Sequence, residues 1–223
     1  MSANVLAIIP ARGGSKTIPR KNLALCAGKP LIQWTFDAVA DSSVNWVVLT
    51  SDDDEILGLV PPGVIPHKRP LELATDEAST EGVIEDVLAR WPTGTVVLLQ
   101  PTSPIRTGQQ INEAVELLQQ GRYDSVLSVS PSHVFTWRET KHGTVCNYDI
   151  RKRPRRQEIH QWQENGSIYV FTRAHWEKHH NRLGGKIRLY KMGEDEAIQV
   201  DTPLDLFIVE QILLRRQREA LTA

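Results

Sequence analysis

Long apolar runs, an excess of either charge, paired cysteines and repeats are all missing from this 223-residue chain, and each absence narrows what it does. No stretch reaches the roughly 18 apolar residues that a membrane span needs, so no membrane partner is expected. Lys and Arg number 26 against 27 Asp and Glu. A balance so near zero exerts no global pull on nucleic acid or an anionic surface. Any anion binding has to come from local clusters. The two cysteines, Cys26 and Cys146, are far apart and form no C-x-x-C pair. They read as buried or incidental thiols of a reducing compartment. The stretch from Met1 to Lys16 has no basic leader, and its short apolar run leads straight into a charged loop. No export signal is expected there, which predicts a cytoplasmic location. Without repeats, low-complexity tracts or linkers, residues 1–223 read as a single α/β domain with a full core.

Three short runs carry the apolar residues that are present: Val5 to Ile9, Trp46 to Leu49 and Val96 to Leu99. None alternates with polar residues, so each fits a strand covered on both faces, as in a parallel sheet. Helix-like patterns lie between them, over Pro30 to Ala40, Ser79 to Trp91 and Gln109 to Gln120. Strand alternating with helix predicts a doubly wound, mainly parallel sheet. Residues 131–163 break that rhythm. They hold Arg151, Lys152, Arg153, Arg155 and Arg156 with several aromatics, and read as an extended excursion that returns at the strand Ser167 to Phe171. A last strand near Ile198 to Val200 and a closing helix from Pro203 to Arg218, capped by Asp201 or Thr202, complete the reading. Trp34 and Trp46 read as core. Asp52 to Asp54 read as a turn or helix cap, and His179 with His180 as a polar helix face.

Polar, ligand-capable residues follow each of the three strands, and open α/β sheets bind ligands at the carboxyl ends of their strands. The first such loop, Ala11 to Asn22, holds Arg12, Lys16, Arg20 and Lys21 beside Gly13 and Gly14. Glycines let backbone N–H groups turn toward an anion, and the cations neutralise it. A triphosphate brings about four negative charges and needs such a loop. The spacing matches neither the G-x-x-x-x-G-K-[ST] P-loop nor the G-x-G-x-x-G dinucleotide turn.

The segments Ile8 to Lys16, Ile18 to Asn22 and Gly28 to Ile32 resemble the N-terminal signature of the cytidylyltransferases that activate sialic acid and its bacterial relatives, legionaminic and pseudaminic acid. The resemblance continues through Arg69-Pro70, Leu73 to Thr80, Leu99 to Arg106, Glu164 to Tyr169 and Val200 to Leu206, in the family's order. Related enzymes that activate the eight-carbon sugar KDO carry a different first loop. The resemblance implies a nucleotide-diphospho-sugar-transferase-like, Rossmann-like fold and a reaction joining CTP to a nine-carbon acid sugar. It implies triphosphate contacts from Arg12, Gly14, Ser15 and Lys21, and a nucleotide pocket from Asn22, Arg69, Ser79 and Thr80. It further implies sugar contacts from Gln100 and Arg156, and a homodimer through the 131–163 excursion. Mg²⁺ or Mn²⁺ would sit on Asp201, with Arg12, Lys21 and Asp201 carrying the transfer.

The chain departs from the family at one point. Close relatives place a second aspartate where this chain has Gln199, which offers a hard cation a neutral oxygen without charge. Three other readings stay open at this level: a regulatory nucleotide-binding protein whose metal site is degraded at Gln199, an enzyme of the same fold with another sugar acid, and a nucleic-acid module on the 151–156 run. Pyrophosphate release from CTP and sugar separates the first. Salt-sensitive RNA binding would mark the third.

Overall fold

The computed structural model describes residues 4–222. Its centre is a seven-stranded sheet. In chain order the strands are β1 (Val5–Pro10), β4 (Trp46–Ser51), β5 (Val64–Lys68), β6 (Thr95–Leu99), β7 (Ser125–Ser132), β10 (Gln161–Thr172) and β11 (Ile187–Lys191), with short antiparallel pairs β2 (Leu25–Cys26) with β3 (Lys29–Pro30) and β8 (Trp137–Thr140) with β9 (Gly143–Cys146) outside it. The spatial order is β11-β7-β10-β6-β1-β4-β5. All neighbours run parallel except β10, which is antiparallel to both β6 and β7.

The three apolar runs behave as their composition requires. In β1, Leu6 and Ile8 face one side and Val5, Ala7 and Ile9 the other, all buried. The first side packs with Ile84, Val87 and Leu88 of helix α3 (Thr80–Leu88) and Trp176 of α5 (Arg173–His179). The second packs with Phe36 of α1 (Leu31–Ala40) and Ile111, Ala114 and Leu118 of α4 (Gly108–Gln119). Each such fully buried side chain contributes about 2 kcal/mol relative to exposure. Two faces covered by helices are what a continuous apolar strand demands.

Helix starts are set locally. Ser79 caps α3 by accepting from the Gly82 N–H, and Thr107 with Gln110 forms a capping box on α4. The closing helix, α6 (Pro203–Thr222), begins at Thr202, whose hydroxyl accepts from Asp205 N while the Asp205 carboxylate accepts from Thr202 N. Each cap is worth about 1 kcal/mol. Of the two cap candidates the structure uses Thr202, which leaves Asp201 free of that duty. Among the described residues, no helix is long and apolar enough to cross a membrane.

Several expectations need correction. No strand forms at 198–200; that segment is held by Val200 N donating to Thr102 O at 2.7 Å and by Lys21 Nζ donating to Val200 O at 2.8 Å. The edge strand is β11 instead. Trp46 is 39% exposed at the open start of β4, whereas Trp34 is half-buried with its Nε1 donating to the Cys26 carbonyl. The excursion does not leave the sheet at 131. β7 and β10 continue paired through Pro131–Trp162 and Ser132–Gln161, so the departure spans 133–160 and contains the β8–β9 hairpin. Residues 1–3, part of the N-terminal reading, lie outside the described residues.

Candidate active site

The carboxyl ends of β1, β5 and β6 open into a cleft of about 340 Å³. Its lining brings together Arg12, Ser15, Lys21, Asn22, Arg69, Ser79, Thr80, Gln100, Gln199 and Asp201, ten of the twelve residues expected from sequence. Gly14 supports the loop without lining the cleft. Arg156 lies on the exposed excursion, outside the cleft of its own chain.

The loop after β1 is shaped by its second neighbours. Ala11 N donates to Thr50 O, and Gly13 N donates to Asp52 Oδ1 at 3.0 Å. A Cβ at Gly13 would fall 2.6 Å from Asp53 Oδ2, so only glycine permits this approach. Asp53 itself caps the short helix α2 (Asp54–Leu57), accepting from Glu55 N and Ile56 N, as the turn-or-cap reading of Asp52 to Asp54 expects. The buried Asn22 amide donates to Arg12 O at 2.9 Å. Asn22 therefore supports the loop as well as lining the cleft.

The loop's cations all meet carboxylates. Arg12 reaches Asp76 Oδ1 at 2.8 Å and Thr75 O at 3.1 Å, and Lys16 reaches the other oxygen of Asp76. These hydrogen bonds, from Lys16 first and then Arg12, hold the Asp76 carboxyl below the usual carboxylate range. Arg20 turns outward to Asp53 and Glu55. Lys21 Nζ bridges Val200 O at 2.8 Å and Asp201 Oδ1 at 2.9 Å, which ties the loop after β1 to the start of α6. The sequence assigns Asp76 no role, although it lies in the Leu73 to Thr80 stretch. Nothing in its spacing distinguishes it from any acidic loop residue; only the fold puts it opposite Arg12.

Arg69, just past β5, is buried beneath the cleft floor. Its guanidinium donates to the carbonyls of Thr50 and Leu73, while its Nε has no protein partner among the described residues. Burial pushes its pKa down to about 10, against the pull of Asp52 and with a smaller push from Arg12, so it stays charged at neutral pH. Ser79 has its hydroxyl engaged in capping α3. The Asp201 side chain is 65% exposed at the cleft edge. No group of three or more His, Cys, Asp or Glu side chains able to hold a metal occurs among the described residues. Two carboxylates line the cleft, and Asp76 is taken up by Arg12 and Lys16, so what the edge near α6 offers a hard cation is the Asp201 carboxylate with the Gln199 amide oxygen. That set suits Mg²⁺, which keeps several waters and takes its remaining ligands from substrate phosphates.

The chain is 36% identical to N-acylneuraminate cytidylyltransferase B of Danio rerio over 220 residues, covering 94% of this chain and 51% of that protein. It is 31% identical to N-acylneuraminate cytidylyltransferase of Escherichia coli over 229 residues, covering 98% and 54%. The chain thus spans about half the length of the curated relatives it matches. Its fold is similar to a solved structure of CMP:2-keto-3-deoxy-manno-octonic acid synthetase complexed with CTP, at a TM-score of 0.71 and 16% identity over 96% of this chain and 99% of the other. It is also similar to 4-diphosphocytidyl-2C-methyl-D-erythritol synthase from Anaerococcus prevotii, at a TM-score of 0.66 and 14% identity over 94% and 96%. The family model described as cytidylyltransferase matches residues 6–205, and the chain belongs to that family.

Proposed function

We propose that this chain transfers CMP from CTP to the anomeric hydroxyl of a sialic-acid-like nine-carbon acid sugar, releasing pyrophosphate. The observation that carries the reading is the cleft itself: Arg12, Lys21, Arg69 and Gln100 converge at the carboxyl ends of β1, β5 and β6. The curated relatives named N-acylneuraminate cytidylyltransferase support the choice of nucleotide and sugar.

In the reaction the sugar oxygen bonds to the α-phosphorus, and the bond from that phosphorus to the pyrophosphate oxygen breaks in line. The hydroxyl proton leaves to solvent or to a base in the cleft. Little covalent work falls to the protein, so orientation and charge neutralisation dominate. Arg12, Ser15 and Lys21 hold the triphosphate with the Gly13-Gly14 backbone. Asn22, Arg69, Ser79 and Thr80 hold the nucleoside. Gln100 meets the sugar. Asp201, with Gln199 beside it, would hold Mg²⁺ or Mn²⁺, which would supply neutralisation of the triphosphate's charge.

The working unit in this reading is a homodimer. The excursion carries exposed apolar side chains, Val134, Trp137, Val145 and Ile150, which a second copy would cover. Arg156, absent from its own chain's cleft, would then reach the partner's cleft and pair with the sugar carboxylate. The free thiols Cys26 and Cys146 support a cytoplasmic setting.

The test is direct. The protein is incubated with CTP, Mg²⁺ and, in turn, sialic, legionaminic and pseudaminic acid, with pyrophosphate and CMP-sugar measured. Turnover of one acid sugar and its loss on adding EDTA are expected. CTP binding without pyrophosphate release from any of them would overturn the reading in favour of a regulatory nucleotide-binding protein.

A further inference from the structure

Beneath the loop that follows β6 lies a buried polar network that the reaction as described does not use. At its centre is Arg106, only 4% exposed. Its Nε donates to Ser167 Oγ at 3.1 Å, one terminal nitrogen donates to Thr35 Oγ1 at 3.2 Å, and the other donates to the backbone carbonyl of Gln100. No carboxylate lies within salt-bridge distance of it among the described residues. Burial alone pushes its pKa down to about 9, which still leaves it charged at neutral pH.

The network spreads sideways from there. Ser103 Oγ donates to Asn165 O at 3.0 Å. The Asn165 amide oxygen accepts from Ser128 Oγ at 2.6 Å and from Ser167 N at 3.2 Å, and its nitrogen donates to Ser130 Oγ at 3.1 Å. Asn165 to Ser167 form an irregularity in β10, where the register against β7 jumps between Glu164 and Tyr169. Gly166 there has φ +63°, and a Cβ on it would fall 2.3 Å from Gln199 Oε1. The same loop holds the Gln199–Asp201 segment through Thr102 O and Val200 N.

A buried guanidinium with neutral partners is a costly device for stability, since apolar side chains of similar volume hold a core at least as well. What it does well is fix geometry. Its planar fork of donors ties three elements at set angles: α1 through Thr35, the end of β6 through Gln100, and the irregular turn of β10 through Ser167. Because the carbonyl of Gln100 is pinned, the direction in which its side chain leaves the backbone into the cleft is pinned too.

We infer that Arg106 is a positioning residue for the acceptor side of the cleft: it fixes Gln100 directly, and the Gln199–Asp201 segment through Thr102, so that the acid sugar is held in line with the α-phosphate. Arg106 touches no substrate. The inference rests on the proposed transfer of CMP to an acid sugar. The donor side is anchored separately, by Asn22 on Arg12 O and by Arg69 on Thr50 O.

The experiment compares wild type with Arg106→Met, Arg106→Lys, Thr35→Val and Ser167→Ala. CTP affinity is measured by calorimetry without sugar, and kcat and KM for the sugar are measured at saturating CTP. Arg106→Met is expected to raise the sugar KM about tenfold and lower kcat, as an ångström-scale misplacement does, while CTP Kd stays within about twofold. Arg106→Lys keeps the charge but not the fork, and should recover only part of the loss. Thr35→Val and Ser167→Ala each remove one acceptor and should raise the sugar KM about threefold. They carry the test if Arg106→Met does not fold, as judged by circular dichroism and melting. An unmoved sugar KM with only a loss of active fraction would overturn the inference, as would a parallel rise in CTP Kd. Wild type that turns over no acid sugar overturns the proposed function and this inference with it. Wild-type turnover with unmoved variants overturns this inference alone.

Discussion

The loop after β1 carries four cations within Arg12 to Lys21, and the excursion carries five within Arg151 to Arg156. By composition the second is the stronger anion-binding candidate, yet the fold treats them oppositely. In the first cluster each cation is met by carboxylates, and Asn22, Asp52 and the Thr50 carbonyl hold the backbone. In the second the side chains stand on an exposed segment between β9 and β10. Arg153 rests over the rings of Phe135 and Tyr148, Arg151 pairs with Asp149, and Arg155 reaches Glu158 only at 3.9 Å, contacts of small worth in water. Charge density does not mark the site; anchorage to the carboxyl edge of parallel strands does.

The contrast can be broken or sharpened by substitution. The largest effect is expected at the hinge between the first cluster and α6. Asp201→Asn should cut pyrophosphate release by about 100-fold or more. Its melting temperature should stay within about 2 °C, because Thr202 carries the cap. A lowered melting temperature with normal turnover would reverse those roles. Next, Arg12→Ala should lower kcat/KM for CTP at least tenfold, about 1.4 kcal/mol, with an unchanged circular dichroism spectrum. Arg156→Ala should leave CTP affinity alone and raise the sugar KM about fivefold, the loss of one charge-assisted contact, whereas Lys152→Gln should change neither quantity. Equal effects from Arg156 and Lys152 would mean that the excursion acts only through bulk charge, a result that salt titration would also expose.

The smallest effect concerns Asp76, the anion that occupies Arg12 and Lys16 in the free cleft. Asp76→Asn should tighten CTP binding about threefold by calorimetry, since the triphosphate no longer displaces an internal competitor. The sign of its pH dependence follows from its pKa. The carboxyl sits below its ordinary range in the folded protein, so the contact is complete above that range and is lost only as pH falls through the lowered value. CTP affinity should therefore show no trend from this group across neutral pH.

The strands that organise the site were legible because their environment is simple. β1, β4 and β6 are apolar on both faces, and their loops hold the cations and Gln100. β5 was not legible, because Pro66 and His67 interrupt five residues that pair only at the sheet edge. β7 was missed for a different reason. Ser125, Ser128 and Ser130 look like surface, yet all three are buried, with Ser128 and Ser130 bonded to Asn165. Arg106 stands in the sequence only as the last residue of the Leu99 to Arg106 stretch. No pattern in a sequence reports that an arginine is buried beneath a loop, because its partners come from α1 and β10, some 60 to 70 residues away in sequence. Arg156 is the converse case: its family role was readable, but its own chain does not bring it to the cleft.

β10 has a consequence for how the molecule opens. Its twelve residues run from the exposed ribbon at Gln161 to the buried middle of the sheet, where Ile168 to Thr172 lie against β6 and Tyr169 to Phe171 also pair with β7. Amides at the ribbon end can exchange with solvent by local fraying, whereas those at Tyr169 to Phe171 exchange only when the whole sheet comes apart. One continuous strand therefore spans the range from the weakest protection to the strongest, with the irregular turn at Asn165 to Ser167 as the boundary. Hydrogen exchange read along β10 would show a step at that turn, and the height of the step measures how far the hairpin can loosen without disturbing the cleft.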